Sequence, residues 1–550
     1  MKTSVMKKIS TSLLASLLII GGCTTPQTSS EKEEKVTLHD SNVRAPVPLK
    51  ARLSTQPPMQ YSETTATTGY ARSRDILPLP PHSPYQRESY NSLGESGFIT
   101  TVNDPLSTFS IDVDTASYSN IRRFIQNGQL PPVGAIRIEE MVNYFPYTNP
   151  RPQSEPFLIS TEIGPCPWQD ENRLVRISLQ ARELDKSQLP PSNLVFLIDV
   201  SGSMNHANKL PLLKKSLLML LDTLSVKDRI SIVVYAGSDR VVLKPTPGNK
   251  KEAIRKAIHN LSSGGSTHAS SGIHTAYDLA LQSFMPGGNN RIILASDGDF
   301  NVGTTSRGEL ERLITVKKES GVYLTVLGFG MDNFHDDTME ILADKGNGNY
   351  AYIDSLLEAK KVLVKERAST LFALANDVKL QVEFNPAMVG GYRLIGYENR
   401  VLADEDFNND KKDAGEIGLG HTVTALYEVI PKGSKTIPTV DPLKYQKTSD
   451  RGSDEILTVK LRYKPLQNEQ SRLLTQSLHD NENVLGQMSN DFRFAAAVAG
   501  YGLLLQHSEY VGKLAYPDLI NLAKSSRGQD DEGYRAEFIR LVKMSEILTR

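Results

Sequence analysis

The stretch Leu194-Val-Phe-Leu-Ile-Asp199-Val-Ser201-Gly-Ser203-Met204 joins an apolar run to three oxygen-bearing side chains at alternate positions. An apolar run of this length with β-branched side chains predicts a buried strand. In an open α/β sheet, ligands bind just beyond the carboxyl ends of such strands. We therefore expect Asp199, Ser201 and Ser203 on a loop at a binding site. Small, hard oxygen ligands of this kind suit Mg²⁺, Mn²⁺ or Ca²⁺ rather than zinc.

Two segments further along the chain extend this pattern. Gly264-Gly265-Ser266-Thr267 lies just before a predicted helix, and a second buried strand ends in Ser296-Asp297-Gly298. If the two strands are neighbours, Asp199 and Asp297 converge at one edge of the sheet. The three segments together resemble the metal-ion-dependent adhesion site of von Willebrand factor type A domains. The alternative is that these serines and aspartates only cap helices and turns.

The resemblance implies a role for each side chain. Ser201 and Ser203 would bind the ion through their hydroxyls, and Thr267 would add a further hydroxyl, directly or through water. Asp199 and Asp297 would act mainly through water or as hydrogen-bond acceptors. Because the directly bound protein groups would be neutral, the ion would keep strong positive character. A carboxylate from a partner protein could then fill its open position.

Two other carboxylate-rich segments are weaker candidates for a metal site. Residues 404–413 alternate oxygen side chains like a calcium loop, but the glycine of the sharp turn and the helical flanks are missing. We interpret them as a solvated hairpin loop. His335-Asp336-Asp337 is interpreted as a helix start, because acidic residues in the first turn are favoured by the helix dipole. His268 and Asp299, beside the main motif, are interpreted as loop side chains in water.

The composition limits the class of protein. A chain of 550 residues is too long for one ordinary core, so two or three domains are expected. The formal net charge is −1 and both signs are interspersed, which gives no electrostatic footprint for nucleic acid. We therefore predict no nucleic-acid partner.

The N-terminal residues resemble a bacterial lipoprotein signal. Three lysines among the first eight residues precede an apolar segment at 13–20, which ends in Gly21-Gly22-Cys23. This predicts a signal peptide over residues 1–22 and lipid attachment to Cys23. The acyl chains would anchor the protein to the membrane. Thr24 is of the residue class associated with outer-membrane sorting in Gram-negative envelopes. The alternative is an ordinary secretory signal with a chance cysteine.

Composition and periodicity divide the rest of the chain into four parts. Residues 23–95 are rich in Thr, Ser, Pro and Gln, and are predicted to be a disordered lipidated tether. Residues 96–190 are predicted to be an N-terminal α+β region and residues 376–550 a C-terminal β-rich and helical region. Residues 191–375 alternate strands with helices, which predicts a Rossmann-like α/β fold with a mostly parallel sheet. The resemblance to type A domains implies strand order 3-2-1-4-5-6.

The flanking parts carry a second resemblance. Thr108-Phe-Ser-Ile-Asp-Val-Asp-Thr-Ala-Ser-Tyr118 and Arg137-Ile-Glu-Glu-Met-Val-Asn-Tyr-Phe145 precede the central region, and Phe492-Arg-Phe-Ala-Ala-Ala-Val-Ala-Gly-Tyr501 follows it. These segments closely resemble the bacterial YfbK-like lipoprotein family, and the similarity covers roughly residues 96 to 550. Asp112, Asp114 and Thr115 also resemble the D-x-D-x-T motif of phosphatases, although Thr115 stands one position too early. We set that interpretation aside, because no Rossmann-like domain fits before residue 190.

One cysteine remains once Cys23 is lipidated. Cys166 then has no partner within the chain for a disulfide. We interpret it as a packing residue beside Trp168 rather than as the site of an intermolecular bridge.

The sequence offers little support for catalysis. It contains neither a G-x-x-x-x-G-K-[ST] phosphate loop nor a G-x-S-x-G nucleophile elbow. Ser201 could be a nucleophile only if a histidine activated it, and none is placed to do so by sequence. The prediction is a non-enzymatic, metal-dependent binding lipoprotein of the bacterial cell envelope that mediates protein–protein adhesion or complex assembly. The alternatives are a metal-assisted hydrolase and a structural lipoprotein with a vestigial metal site.

Overall fold

A computed structural model of the chain describes residues 88–91, 94–111, 113–236, 238–265, 269–298, 307–331, 334–437, 453–466, 470–480 and 482–550. The predicted signal peptide, Cys23 and most of the predicted tether lie outside these residues, as do Asp112, Thr267, His268 and Asp299. The described residues belong to one compact unit.

The described elements fall into three consecutive groups. Before the central region they are β1 (Ile99–Thr100), β2 (Leu106–Ser110), α1 (Ala116–Gln126), α2 (Ile138–Asn143), β3 (Phe157–Cys166) and β4 (Gln169–Ala181). In the central region they are β5 (Ser192–Asp199), α3 (Leu210–Thr223), β6 (Arg229–Ala236), β7 (Ser238–Pro247), α4 (Lys251–His259), α5 (Ala269–Gln282), β8 (Asn289–Ser296), α6 (Arg307–Lys318), β9 (Tyr323–Phe329), α7 (Asp336–Lys345), β10 (Tyr350–Ile353), α8 (Leu356–Lys360) and α9 (Arg367–Leu371). After it they are β11 (Ala373–Phe384), β12 (Val389–Ile395), β13 (Gly415–Gly418), β14 (Thr422–Pro431), β15 (Glu455–Pro465), β16 (Arg472–His479), α10 (Asn490–Leu505), α11 (Tyr516–Ser525) and α12 (Tyr534–Leu548).

The central strands form one sheet in the order β10-β9-β8-β5-β6-β7. Counted within this region, that is the order 3-2-1-4-5-6, so the predicted α/β fold and its topology are confirmed. β5 is parallel to both of its neighbours, β6 and β8, and β7 runs antiparallel to β6. Every residue of β5 is buried, because helices cover both faces of the sheet.

β7 contains proline in its second half. It continues through Pro245 to Pro247. Proline lacks the N–H that a central strand must donate, and it is tolerated here because β7 is the edge strand of the sheet.

Strands from both flanking regions pair with each other in two further sheets. One sheet has the order β1-β12-β14-β4-β3, and the other joins β2, β11, β13, β15 and β16. Leu106 of β2 pairs with Glu383 of β11, and Val175 of β4 pairs with Tyr427 of β14. The two sheets share one apolar core. The residues before and after the central region therefore build a common body.

A buried arginine on α1 connects all three groups of elements. Arg122 donates to Asp354 at 2.6 Å, just after β10, and to Glu358 of α8 at 2.7 Å. It also donates to Glu537 of α12 at 2.8 Å. The Arg122 side chain is only 4% exposed, and those of Asp354 and Glu358 are 7% and 0% exposed. Solvent does not screen these contacts, so each carboxylate depends on the arginine for its counter-charge.

In the two other carboxylate-rich segments, Asp336 and Asp410 are bound by protein side chains. α7 begins at Asp336, which confirms the predicted helix start, and Arg137 donates to the buried Asp336 carboxylate at 2.6 Å. In segment 404–413, Asp410 is held by Arg462 at 2.9 Å and by Ser471 at 2.8 Å. Cys166 is buried in an apolar core to which α1, α2, α10, α11 and α12 contribute, and burial raises the pKa of its thiol well above the usual value.

The helical segment that ends the central region is interrupted. α8 passes into a π-helical turn at Lys361–Lys365 before α9 begins. Lys361 points inward at this turn, where its ammonium lies 2.9 Å from Glu366 and 4.3 Å from the centre of the Tyr144 ring. In the part of the chain that the structure describes, no helix has the length and apolar character needed to cross a bilayer.

Candidate metal centre

The segments that contain Asp199 and Asp297 leave the sheet side by side. Ile198 of β5 pairs with Ala295 of β8, so the residues that follow each strand emerge at the same edge. Asp199 is fully buried at this point, and Asp297 is 2% exposed. Ser296 donates its hydroxyl to Asp199 at 3.2 Å, which joins the two segments directly. The predicted convergence of Asp199 and Asp297 is thus present in the structure.

The two serine hydroxyls of the first motif lie next to each other. The chain turns sharply after Asp199 into a 3₁₀ turn at Gly202–Asn205. The backbone N–H of Ser201 donates to Asp199 at 2.8 Å and fixes the carboxylate. The Ser201 and Ser203 Oγ atoms are 2.9 Å apart, and Ser203 is partly open to solvent.

A third loop is tied to this turn by its backbone. The N–H of Gly202 donates to the carbonyl of Gly265 at 3.2 Å, and the N–H of Gly264 donates to Val200 at 2.7 Å. Gly265 has φ +100°, a backbone conformation that favours glycine. The loop that leads to Thr267 therefore starts beside the serines. Thr267 itself lies outside the described residues, and its place at the site stays a prediction.

The electrostatics of the site favour a cation. Burial, together with the neighbouring Asp297 carboxylate, raises the pKa of Asp199 from 3.8 to about 6. The N–H and hydroxyl donors around Asp199 oppose this shift only in part. Two buried carboxylates so close together need positive charge between or beside them.

One source of positive charge is a residue that the sequence analysis missed. The Lys209 ammonium donates to Asp297 at 2.9 Å, and the two side chains are 5% and 1% exposed. The lysine stem crosses Gly330, where φ is +83° and any Cβ would overlap the stem. Lys209 is the N-cap residue of α3, a position where the helix dipole disfavours a cation. A lysine at this unfavourable position can be recognised from the sequence once the helix start is predicted, and it could have pointed to Lys209.

The donor set fits a hard divalent cation. Octahedral Mg²⁺ with oxygen ligands at about 2.0–2.1 Å places adjacent ligands about 2.9 Å apart. The Ser201 and Ser203 hydroxyls have this separation. Among the described residues, no three His, Cys, Asp or Glu side chains are grouped to hold a metal. Direct ligation at this site would therefore depend on the hydroxyls, with Asp199 and Asp297 behind them.

Family models match three parts of the chain. The model for the von Willebrand factor type A domain matches residues 193–365, which contain the central sheet and the candidate centre. A model described as von Willebrand factor matches residues 84–176. The model for the C-terminal part of the uncharacterized protein YfbK matches residues 369–548.

Individual proteins are also similar to this chain. The uncharacterized protein YfbK of Escherichia coli (strain K12) is 41% identical over 504 residues, which cover 89% of this chain and 86% of that protein. Inter-alpha-trypsin inhibitor heavy chain H3 of Mesocricetus auratus is 27% identical over 256 residues, 44% of this chain and 29% of that protein. A solved von Willebrand factor type A structure from Catenulispora acidiphila covers 72% of this chain and is itself covered to 92%, at 14% identity and a TM-score of 0.39.

Proposed function

The chain belongs to the YfbK family and contains a von Willebrand factor type A domain, and from this premise we propose that it is a metal-dependent protein-binding lipoprotein of the bacterial cell envelope. One observation carries the proposal. Two serine hydroxyls 2.9 Å apart and two buried aspartates meet beyond the carboxyl ends of two parallel strands. That edge is where ligands bind in open α/β sheets.

The residues of the site define what a bound Mg²⁺, Mn²⁺ or Ca²⁺ would do. Ser201 and Ser203 hold the ion through neutral oxygens, with Thr267 as a proposed third hydroxyl. The ion supplies a positive centre at the protein surface. Asp199 and Asp297 carry two negative charges, and Lys209 contributes one positive charge. A divalent ion therefore leaves the site with one net positive charge, which a partner's carboxylate neutralises.

The anchoring part of the proposal rests on the N-terminal sequence. Lipids on Cys23 hold the protein to the membrane, and the segment after Cys23 tethers the folded part. The tether ends before the predicted residue 95, because Glu88 already contacts Arg123 at 2.8 Å and Glu95 contacts Arg393 at 2.7 Å. In a Gram-negative cell the outer membrane is the proposed location. The partner is a protein that presents an aspartate or glutamate to the ion.

Metal binding gives the most direct test. Adding Mg²⁺ or Mn²⁺ should raise the melting temperature, because a ligand of the native state stabilises it by about 2.7 kcal/mol at a hundredfold excess over Kd. Ser203→Ala should weaken binding measured by calorimetric titration. Ser262→Ala, on an exposed position of the neighbouring loop, is the matched control and should bind normally. Absence of binding heat at millimolar metal in the wild type would contradict the proposal.

Lys209→Gln should separate the two electrostatic roles of the site. Glutamine keeps an N–H donor for Asp297 but removes a positive charge near the ion. At an effective dielectric of about 20 this repulsion exceeds about 1.4 kcal/mol, so we expect Mg²⁺ to bind at least about tenfold more tightly. Carboxylate ligands should bind more weakly to the metal-loaded variant. Calorimetry measures both affinities. Lys227→Gln, at an exposed turn, is the control, and unchanged or weaker Mg²⁺ binding by Lys209→Gln would disprove this role.

A further inference from the structure

A groove of about 460 Å³ runs between α3 and α4 and opens beside the candidate metal centre. We propose that this groove binds an extended acidic segment of the partner protein, next to the residue whose carboxylate binds the ion. The inference rests on the proposed function, and it adds where the partner lies and which chemistry it carries. The groove volume is within the range of about 300–1,000 Å³ of ligand sites.

The mouth of the groove is built from the loops that hold the metal centre. Asn205 lines the groove and ends the 3₁₀ turn that contains Ser203. Ser263, also in the lining, donates its hydroxyl to Asn205 at 3.0 Å. The next residue, Gly264, donates its backbone N–H to the carbonyl of Val200, which lies between Asp199 and Ser201. Through Asn205 and Ser263, the turn that carries Ser203 is continuous with the groove, so a peptide bound at the ion can extend into it.

The floor of the groove is apolar. Leu261 is buried at its base, Leu218 is half-buried, and the Pro211 ring is exposed at the start of α3. Pro211 occupies the first helical turn, where its fixed backbone angle suits the helix and its ring is held rigidly. This surface suits one apolar side chain of the partner segment.

The charged side chains among the described residues that line the groove are Lys214 and Lys215. Lys215 is exposed on α3, and His259 is exposed at the end of α4. Lys214 donates to the carbonyls of His259 at 2.7 Å and Leu261 at 2.9 Å, which fixes its ammonium at the rim. Among the described residues that line the groove, none is acidic. This charge complements an acidic segment, as does the positive charge of the metal-loaded site.

The test uses the full chain and a labelled synthetic peptide with Asp, Leu and Glu at alternate positions. Fluorescence anisotropy at low ionic strength with saturating Mg²⁺ should show binding that EDTA abolishes. Lys215→Glu should weaken binding at least about fivefold, and added salt should reduce this difference. Leu218→Ser should weaken binding at any salt concentration. Lys227→Glu, at an exposed turn outside the groove, is the matched charge-reversal control and should bind like the wild type.

The outcomes separate this inference from the proposed function. If calorimetry shows unchanged Mg²⁺ binding by Lys215→Glu and Leu218→Ser, the metal centre of these variants is intact. A loss of peptide binding by the same variants then supports the groove as the peptide site. Peptide binding by both variants at wild-type affinity, or no binding by the wild type, overturns the groove while metal binding stands. Mg²⁺-dependent dimers that Lys215→Glu abolishes would assign the groove to a second copy and overturn it too. No Mg²⁺ binding by the wild type overturns the proposed function itself.

Discussion

Asp199→Ala should abolish the rise in melting temperature caused by Mg²⁺ and, with it, metal-dependent capture of a partner, while the fold stays intact. Asp199 accepts hydrogen bonds from the Ser201 N–H and the Ser296 hydroxyl, so it fixes both segments that form the centre. We expect at least about a hundredfold loss in metal affinity, the upper part of the range for groups that orient metal ligands. Thermal melting with and without Mg²⁺ measures the effect, and circular dichroism checks the fold.

The same substitution separates the three functional hypotheses. Adhesion predicts loss of capture from envelope extracts, in the same way as a chelator. A metal-assisted hydrolase predicts loss of turnover on a substrate, and a vestigial site predicts no change in any of these measurements. Asp222→Ala, an exposed aspartate on α3, is the control for removing a carboxylate. A full Mg²⁺ response in Asp199→Ala would contradict the assigned site.

Asp199 should also give the metal-free protein a distinct pH dependence. Its folded-state pKa of about 6 lies above the ordinary value of 3.8, because burial and then the charge of Asp297 disfavour ionisation. The folded state therefore holds the proton more tightly, and stability falls as pH rises from about 4 to about 6. A shift of this size corresponds to about 3 kcal/mol. Asp199→Asn should be more stable than the metal-free wild type at pH 8, and the difference should vanish near pH 4.

Arg122→Met should destabilise the protein by about 3–5 kcal/mol. The substitution leaves Asp354 and Glu358 as buried carboxylates without their arginine, and it removes a contact to Glu537. Breaking a buried ion pair on one side costs this much because the remaining charge stays desolvated. Because Arg122 joins α1, the residues after β10, and α12, all three groups of elements should loosen together. Urea unfolding followed by fluorescence and circular dichroism measures the loss.

A matched exposed arginine provides the control for Arg122. Arg151 lies 3.0 Å from Glu183, but the side chains are 75% and 49% exposed. Solvent-exposed pairs contribute at most about 1 kcal/mol, so Arg151→Met should change stability little. A loss below about 1 kcal/mol for Arg122→Met would show that the buried carboxylates find other compensation.

Local pattern and the resemblance to type A domains together predicted the central sheet. The run before Asp199 and the alternation of strands and helices predicted the elements, and the resemblance to type A domains supplied the strand order that the structure confirms. The meeting of Asp199 with Asp297 followed from that order, because parallel neighbours end at the same edge.

Contacts between distant residues could not be predicted in this way. The pairing of β2 with β11 has no local signature, since the same alternation fits many partners. Lys209 was missed because its role depends on the reach of a long side chain across Gly330 to another strand's loop. The π-helical turn at Lys361–Lys365 brings Lys361 against Tyr144, which lies in a different group of elements, and local pattern does not reveal such a contact.

The strand pairing between the two ends of the chain also constrains its biosynthesis. Chains emerge from the ribosome N-terminus first, so β1 and β2 are made long before β12 and β11. The central sheet takes its strands from one continuous segment, so it can close while the early strands still lack their partners. Unpaired strand edges invite aggregation, and such long-range closure is slow. We therefore expect nascent chains that stop before β11 to depend on chaperones, with the outer sheets assembling as the last step of maturation.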